Sequence, residues 1–240
     1  LDWKVFGRTD KFYLKQFEEE TNLVCSLVLD TSESMGYRSP AAPMSKLDYA
    51  RCIAAALAYL VLRQQDSVGL VTFDREVRAS LRASSNPSQW EPLIRVMEES
   101  SPREKTAAGA IFHDLAERIR RRGIVVVLSD LFDDVDAMLA GLKHFRHRRH
   151  EVIVFHVLDP AELEFPFDEA TRFQGLEGWA DLIVEPRALR RAYLDQFERY
   201  LRRVQHGCRA AQIDHVLMRT DRSLEDRKST RLNSSHQSVS

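Results

Sequence analysis

Apolar positions along the chain follow two patterns: short continuous runs, and longer stretches in which they recur every three or four residues. The continuous runs predict strands covered on both faces, namely VCSLVL, SVGLVTF, GIVVVLSD, EVIVFHVLD and IDHVLMRT, with EVRAS as a short edge strand. Helical spacing predicts helices in LDYARCIAAALAYLVLRQQ, at 87–98, at 107–122, in DAMLAGLKHFRHRR and in ALRRAYLDQFERYLRRVQH. Because strands and helices alternate, we predict a Rossmann-like three-layer α/β fold, with a mostly parallel central sheet and helices on both faces.

Three segments lie outside this alternation. Residues 160–186 interrupt it, and we expect an insertion there with a small hairpin. Residues 226–240 begin with DRKSTRLNSSH, which resembles the translation of a sequencing-adapter oligonucleotide, so we predict an artefactual tail. The chain starts without Met, and we interpret residues 1–22 as the end of a truncated N-terminal segment. Residues 23–225 are then the main domain.

Composition narrows the class of protein. The 240 residues are 44% hydrophobic with a formal net charge of −1, which is typical of a globular domain and gives no reason to expect a nucleic-acid partner. No apolar run approaches the roughly 18 residues of a membrane span, and the N-terminus lacks the apolar core of a signal peptide. The three cysteines are far apart, so we interpret them as packed thiols in a reducing compartment and expect a cytoplasmic protein.

Two of the predicted buried strands end in an acid: Asp30 follows LVL, and Asp130 follows VVVLS. Ligands of open parallel sheets bind beyond the C-terminal ends of the strands, so these ends predict a site, with Ser32 and Ser34 close to it. The first turn has no Gly-rich or Walker-type sequence, which argues against a nucleotide site. No GxSxG elbow frames either serine as a hydrolase nucleophile.

An enzyme alternative stays open. An aspartyl-phosphate phosphatase of the haloacid dehalogenase type also begins with an apolar strand that ends in a nucleophilic Asp, and SDLFDD resembles the magnesium-holding stretch of such enzymes. Such an enzyme needs a second Asp two residues later as general acid, but that position is Ser32. We therefore expect a protein that is not an enzyme, and keep the Mg²⁺-dependent phosphatase, with Asp30 as nucleophile, as the alternative.

The stretch DTSES has the spacing Asp-x-Ser-x-Ser and resembles the metal-ion-dependent adhesion site of von Willebrand factor A domains. The resemblance implies a metal site built from this motif, a Thr in the loop before the third helix and an Asp at the end of the fourth strand. In this sequence the implied ligands of Mg²⁺, or of Mn²⁺ in its place, are Asp30, Ser32, Ser34, Thr106 and Asp130. The loops depart from many A domains at Lys105 and Leu131, where Gly is frequent.

Longer stretches resemble the bacterial family known as domain of unknown function 58. These are LDWKVFGRTDKFYLKQFEEETN, LVLDTSESM, VVVLSDLFDD, EVIVFHVLDPAELEFPF and RTDRSLED, and the resemblance covers residues 1–225. It implies a von Willebrand A fold and action beside a MoxR-type AAA+ ATPase in the maturation or remodelling of other proteins. With only two charged ligands, the metal is expected to keep a coordination position for an Asp or Glu of a protein partner.

Taken one at a time, the five implied ligands have ordinary structural roles. Ser32 and Ser34 suit a turn, and Thr106 suits the N-cap of the next helix. Asp30 and Asp130 suit caps of the helices that follow their strands. The metal site is predicted because all five occur together and in the right order.

Neighbouring polar residues have simpler interpretations. Asp133 and Asp134 are expected to begin the helix at Val135, where acids suit the helix dipole. Histidines recur at every third position within 144–150, but no carboxylate completes a metalloprotease pattern, so we predict no second metal site.

Overall fold

The computed structural model describes residues 23–104, 106–167, 171–173, 182–184 and 186–223. The expected N-terminal segment 1–22, Lys105 and the expected tail 226–240 lie outside the described residues.

Eight strands are present in the described residues: β1 (Val24–Asp30), β2 (Ser67–Phe73), β3 (Val77–Ser84), β4 (Ile124–Ser129), β5 (Glu151–Leu158), β6 (Thr171–Phe173), β7 (Leu182–Val184) and β8 (Asp214–Arg219). Six of them form one sheet in the order β3-β2-β1-β4-β5-β8. Adjacent strands of this sheet are parallel, except that β2 and β3 pair antiparallel. β6 and β7 pair antiparallel with each other, so the hairpin expected within 160–186 is present.

The described residues also form helices α1 (Lys46–Arg63), α2 (Trp90–Glu99), α3 (Ala108–Arg118), α4 (Val135–His147), α5 (Pro160–Glu164) and α6 (Pro186–Ala210). Successive side chains of a strand point to opposite faces of the sheet. In β1, Leu27 and Leu29 pack with α1 and α2, whereas Val28 packs with α3, α4 and α6. Helices therefore cover both faces, and the predicted three-layer α/β fold is confirmed.

Some element bounds differ from the sequence prediction. α3 ends at Arg118 rather than at 122, because the chain has to leave the helix to start β4 beside β1. Gly123 lies there against the backbone of Val24, with no room for a Cβ atom. The helix expected at 87–98 begins with a short 3-10 turn before α2. β3 is an edge strand as predicted, but it is eight residues long.

α3 and α4 approach each other closely through two glycines. A Cβ atom on Gly109 would lie 2.8 Å from Ala137, and one on Gly141 would lie 2.8 Å from the carbonyl oxygen of Gly109. Larger side chains at these positions would push the helices apart. The packing thus fixes the N-terminus of α3, and the loop that precedes it, next to the N-terminal half of α4.

The cysteines are unpaired, but they do not share one environment. Cys25 and Cys208 are buried, as predicted, whereas Cys52 is exposed on α1. The packed-thiol interpretation is wrong for Cys52 because the helix turns its neighbours Ile53 and Ala54 toward the sheet and position 52 away from it. Among the helices that the structure describes, none is both long and apolar enough to cross a membrane.

Candidate metal centre

The two acidic strand ends lie side by side. β1 and β4 are adjacent and parallel, with Leu29 opposite Leu128, so Asp30 and Asp130 extend from the same edge of the sheet. Both residues are fully buried. The register therefore brings the two acids to one place, as the sequence pattern indicates.

Asp30 is surrounded by hydrogen-bond donors but contacts no cation in the described residues. Its Oδ1 atom accepts from the backbone N–H of Ser32 at 2.9 Å, and its Oδ2 atom accepts from the Ser129 hydroxyl at 2.5 Å. Burial is the main cause, and repulsion from Asp130 the second, of a pKa of Asp30 that is raised to about 7. The hydrogen bonds from Ser129 and Ser32 lower this pKa, but by less. A carboxylate in this position gains stability when a cation binds next to it.

Ser32 and Ser34 lie directly beside this carboxylate. Both are buried, and their Oγ atoms are 3.2 Å apart at the start of a 3-10 turn, Glu33–Gly36. The Ser32 side chain makes no capping hydrogen bond to that turn, so the ordinary role suggested for it is not observed. Two hydroxyl oxygens next to a buried carboxylate are suitable ligands for a hard cation.

Thr106 belongs to a loop that runs along the Asp-x-Ser-x-Ser turn. The N–H of Glu33 donates to the carbonyl of Glu104 at 3.0 Å, and the N–H of Arg103 donates to the carbonyl of Thr31 at 3.3 Å. The Thr106 hydroxyl is buried and makes no hydrogen bond within the described residues. The N-cap position of α3 is occupied by the next residue along, so Thr106 does not cap the helix. Buried hydroxyls are normally satisfied, and a bound cation would satisfy this one.

Asp130 differs from Asp30 because it already has a positively charged partner. Lys46, the first residue of α1, is fully buried, and its Nζ atom lies 2.7 Å from Asp130 Oδ2 and 2.6 Å from Glu162 Oε1. The other oxygen, Asp130 Oδ1, accepts from the N–H of Phe132 at 3.2 Å. Burial alone would lower the pKa of Lys46, but Asp130 and Glu162 outweigh it and the pKa is raised, so the ammonium stays charged.

Sequence reasoning missed Lys46 and Glu162. Glu162 lies in α5, where it forms a capping box with Asp159, and burial raises its pKa despite the attraction of Lys46. One signal could have revealed Lys46: positions 46, 50, 53 and 54 lie on one face of α1, and all are buried. A lysine on the apolar face of a helix requires a buried partner.

The loop after β4 has the geometry usually associated with glycine. Leu131 has a φ of 58°, in the left-handed region. Its N–H donates to the Ser129 hydroxyl at 2.9 Å, and its carbonyl accepts from the Tyr200 hydroxyl at 2.8 Å. Its side chain is buried in the core. Leucine thus adopts the backbone conformation that glycine favours, because contacts on both sides fix it there.

The neighbouring acids and histidines have structural roles. Asp134 caps α4 by accepting from Ala137 N–H at 2.8 Å, as predicted, and Asp133 accepts from Gly109 N–H of α3 at 3.2 Å. His144 lies 2.7 Å from a carboxylate oxygen of Glu117. No group of three or more His, Cys, Asp or Glu side chains suited to a metal occurs in the part of the chain that the structure describes.

The predicted set of five differs from such a group because three of its members are hydroxyl residues. The structure joins Asp30, Ser32 and Ser34 through direct contacts. Thr106 is linked to them through the backbone of its loop, and Asp130 through the neighbouring strand. An all-oxygen set with two carboxylates and one unsatisfied hydroxyl fits Mg²⁺ or Mn²⁺.

Two solved structures share this fold at low sequence identity, and a third matches more weakly. BatB, a conserved hypothetical protein from Bacteroides thetaiotaomicron, matches with a TM-score of 0.57 and 16% identity, over 86% of this chain and 94% of that chain. An aerotolerance-related membrane protein from Bacteroides fragilis matches with a TM-score of 0.55 and 19% identity, over 88% and 97%. The SpRpn10 VWA domain matches with a TM-score of 0.47 and 12% identity, over 84% and 90%.

Closer relatives in sequence are uncharacterized proteins of Mycobacterium tuberculosis and Mycobacterium bovis. Each is 28% identical over 173 residues, which is 69% of this chain and 52% of the relative. The chain therefore spans about half the length of these relatives. Residues 1–203 match the family described as protein of unknown function DUF58. The resemblance to this family seen in the sequence is thus confirmed, and the chain belongs to the DUF58 family, with a fold like that of BatB.

Proposed function

We propose that this domain is a metal-dependent protein-interaction module, in which Mg²⁺ at the sheet edge accepts an Asp or Glu side chain from a protein partner. The observation that carries the proposal is the buried oxygen cluster at Asp30, which has two adjacent hydroxyls, an unsatisfied Thr106 hydroxyl nearby and, within the described residues, no cation of its own. The fold supports an interaction module, and the oxygen cluster at Asp30 is the basis for the metal and for the carboxylate of the partner.

The proposed ligands are Asp30, Ser32, Ser34, Thr106 and Asp130. The Ser32 N–H and the Ser129 hydroxyl orient the Asp30 carboxylate, and the Lys46 ammonium orients that of Asp130. When bound, the ion supplies an electrophilic position for a carboxylate oxygen. Few of the ligands are charged, which favours capture of a further anionic ligand over a closed structural site.

The alternative is a Mg²⁺-dependent phosphatase with Asp30 as nucleophile. This chemistry needs an acid two residues after the nucleophile, and Ser32 is in that position with its hydroxyl 3.2 Å from Ser34. We therefore propose that the protein is not an enzyme. Metal-dependent hydrolysis of p-nitrophenyl phosphate that is lost in Asp30→Asn would favour the phosphatase instead.

The setting of the interaction rests on the family resemblance. We propose a cytoplasmic protein that works with a MoxR-type AAA+ ATPase in protein maturation or remodelling. Two of the three cysteines are buried and all three are free thiols, which suits a reducing compartment.

The experiment is Mn²⁺ binding, measured by electron paramagnetic resonance on the chain with Mg²⁺ as competitor. We expect one Mn²⁺ site that Mg²⁺ displaces and that is absent from the Asp30→Ala, Ser34→Ala variant. The matched control removes the same chemical groups at exposed positions, in Asp195→Ala, Ser80→Ala, and should bind as the wild type does. Acetate, added to the Mn²⁺-loaded protein, should change the spectrum if a position is open to a carboxylate. A folded wild-type protein that binds no Mn²⁺ would refute the proposal.

A further inference from the structure

Lys46 is in an unusual place for a lysine. It is the first residue of α1, where a cation opposes the helix dipole, and it is fully buried. Ser45 already caps the helix by accepting from the N–H of Asp48 at 3.1 Å, so helix formation does not require a lysine. Burying an ammonium is costly unless nearby carboxylates compensate it. The reason for Lys46 therefore lies in its two carboxylate partners.

Those partners lie on different elements. Asp130 follows β4 at the candidate metal centre, and Glu162 lies in α5 with its side chain 14% exposed. Lys46 contacts one oxygen of Asp130, and Phe132 N–H contacts the other. Both oxygens of this carboxylate are thus engaged without an added ion. Asp30, by contrast, has no cationic partner in the described part of the chain.

We propose that Lys46 is a resident counter-cation of the metal centre: it competes with the ion for the Asp130 carboxylate and so limits the affinity of the centre for divalent cations. Glu162 tunes this effect because it shares the ammonium with Asp130. The inference deepens the proposed function and rests on it, since it concerns the same centre. Lys46 is here a positioning residue that acts through Asp130. Outer partners of metal ligands commonly change metal affinity by about 10- to 100-fold.

The proposal predicts opposite results for two changes within one hydrogen-bonded group. In Glu162→Gln, the ammonium pairs with Asp130 alone, and the buried group carries one negative charge fewer, so Mn²⁺ affinity should fall. In Lys46→Met, Glu162→Gln, the net charge equals that of the wild type, but Asp130 has lost its cation. Because Asp130 is the nearer carboxylate to the centre, Mn²⁺ affinity should rise.

If Lys46 only held α1, β4 and α5 together, the two variants would not differ in the direction of their effect. Loosening these contacts would then weaken Mn²⁺ binding in both variants, or leave it unchanged in both. The Glu162→Gln change keeps a side-chain oxygen as acceptor for the Asp159 N–H, which Glu162 binds at 2.8 Å, so the start of α5 is preserved. The sign of the change in the double variant therefore separates charge control from packing.

The test is the Mn²⁺ dissociation constant of four proteins, each the full chain, measured by electron paramagnetic resonance and accompanied by circular dichroism and urea unfolding. They are the wild type, Glu162→Gln, Lys46→Met with Glu162→Gln, and a control with the same substitutions at exposed positions, Lys143→Met with Glu151→Gln. We expect the dissociation constant to rise about tenfold in the first variant, to fall about tenfold in the double variant and to stay unchanged in the control.

The outcomes distinguish failure of the Lys46 inference from failure of the proposed function. Equal dissociation constants in folded proteins would overturn the role of Lys46 and leave the metal centre intact. Binding by the double variant but not by the wild type would support the role of Lys46 and overturn the proposed function. Absence of binding in all four folded proteins would overturn both. If the double variant does not fold, Glu162→Gln decides together with its urea unfolding. A loss of affinity at unchanged stability supports charge control, a loss that accompanies lower stability supports packing and overturns the inference, and no loss of affinity also overturns it.

Discussion

Asp30 and Asp130 are two carboxylates at neighbouring strand ends, equally buried, in opposite electrostatic situations. Asp30 receives hydrogen bonds from neutral donors, and burial raises its pKa to about 7. Asp130 has an ammonium 2.7 Å away. Burial alone therefore does not make both acids equivalent ligands. Among the described residues, no cation contacts Asp30, whereas the ammonium of Lys46 contacts Asp130.

Removing the resident cation should have the largest effect on stability. Lys46→Met leaves Asp130 and Glu162 buried without their partner, and breaking such a buried pair costs about 3–5 kcal/mol of unfolding free energy. Urea unfolding in EDTA would measure this loss. Adding Glu162→Gln should recover part of it, because one uncompensated charge disappears. A loss below about 1 kcal/mol in Lys46→Met would show that the two carboxylates are solvated or protonated at little cost.

Asp30 predicts a pH dependence of folding stability, because burial raises the pKa of its carboxyl group. The pKa of Asp30 is about 7 in the folded, metal-free protein and close to its ordinary value of 3.8 when unfolded. The folded state therefore binds more protons between these values, and stability falls as pH rises from about 4 to about 7. Asp30→Asn lacks this loss. Relative to the wild type, it should gain on the order of 2 kcal/mol between pH 5 and pH 8.

The measurement is urea unfolding in EDTA at the two pH values, with Asp195→Asn as the exposed control. Mg²⁺ added at pH 8 should stabilise the wild type and leave Asp30→Asn unchanged, since only the wild type has the carboxylate. A wild-type stability that is flat from pH 5 to pH 8 in EDTA, in parallel with the variant, would contradict the buried, proton-binding Asp30.

The sequence predicts the acidic strand ends better than it predicts the ion pairs of Lys46. Continuous apolar runs locate the strands of the large sheet because burial on both faces leaves a clear pattern, and the acids at their ends follow from that. The carboxylate partners of Lys46 could not be predicted in the same way. Its partners are 84 and 116 residues away along the chain, so only the folded structure shows that this lysine is paired. The end of α3 was missed for a similar reason, since contacts of Gly123 with β1 decide where the helix stops.

A smaller perturbation should affect the Asp30 side alone. In Gly109→Ala, the new methyl group would lie 2.8 Å from Ala137, so α3 has to shift, and Thr106 lies just before that helix. Overpacking costs about 1–3 kcal/mol, and alanine returns roughly 1 kcal/mol of helix propensity, which leaves a net loss of about 1 kcal/mol. Mn²⁺ affinity should fall several-fold, as electron paramagnetic resonance would show. An unchanged Mn²⁺ affinity would show that Thr106 is not a ligand of the metal centre.

Thiol labelling should show the smallest effect, and it tests whether the Lys46 variants keep α1 in place. Burial raises the pKa of Cys25 to about 12 and that of Cys208 to about 11, whereas Cys52 is exposed on α1, in the same helix as Lys46. Native protein should therefore react with Ellman's reagent at one thiol, and Cys52→Ser at none. Lys46→Met with Glu162→Gln should also label at one thiol, since Met fills the space of the lysine stem. Reaction of two or three thiols in that variant would mean that its metal affinity reports lost packing rather than the removal of the resident cation.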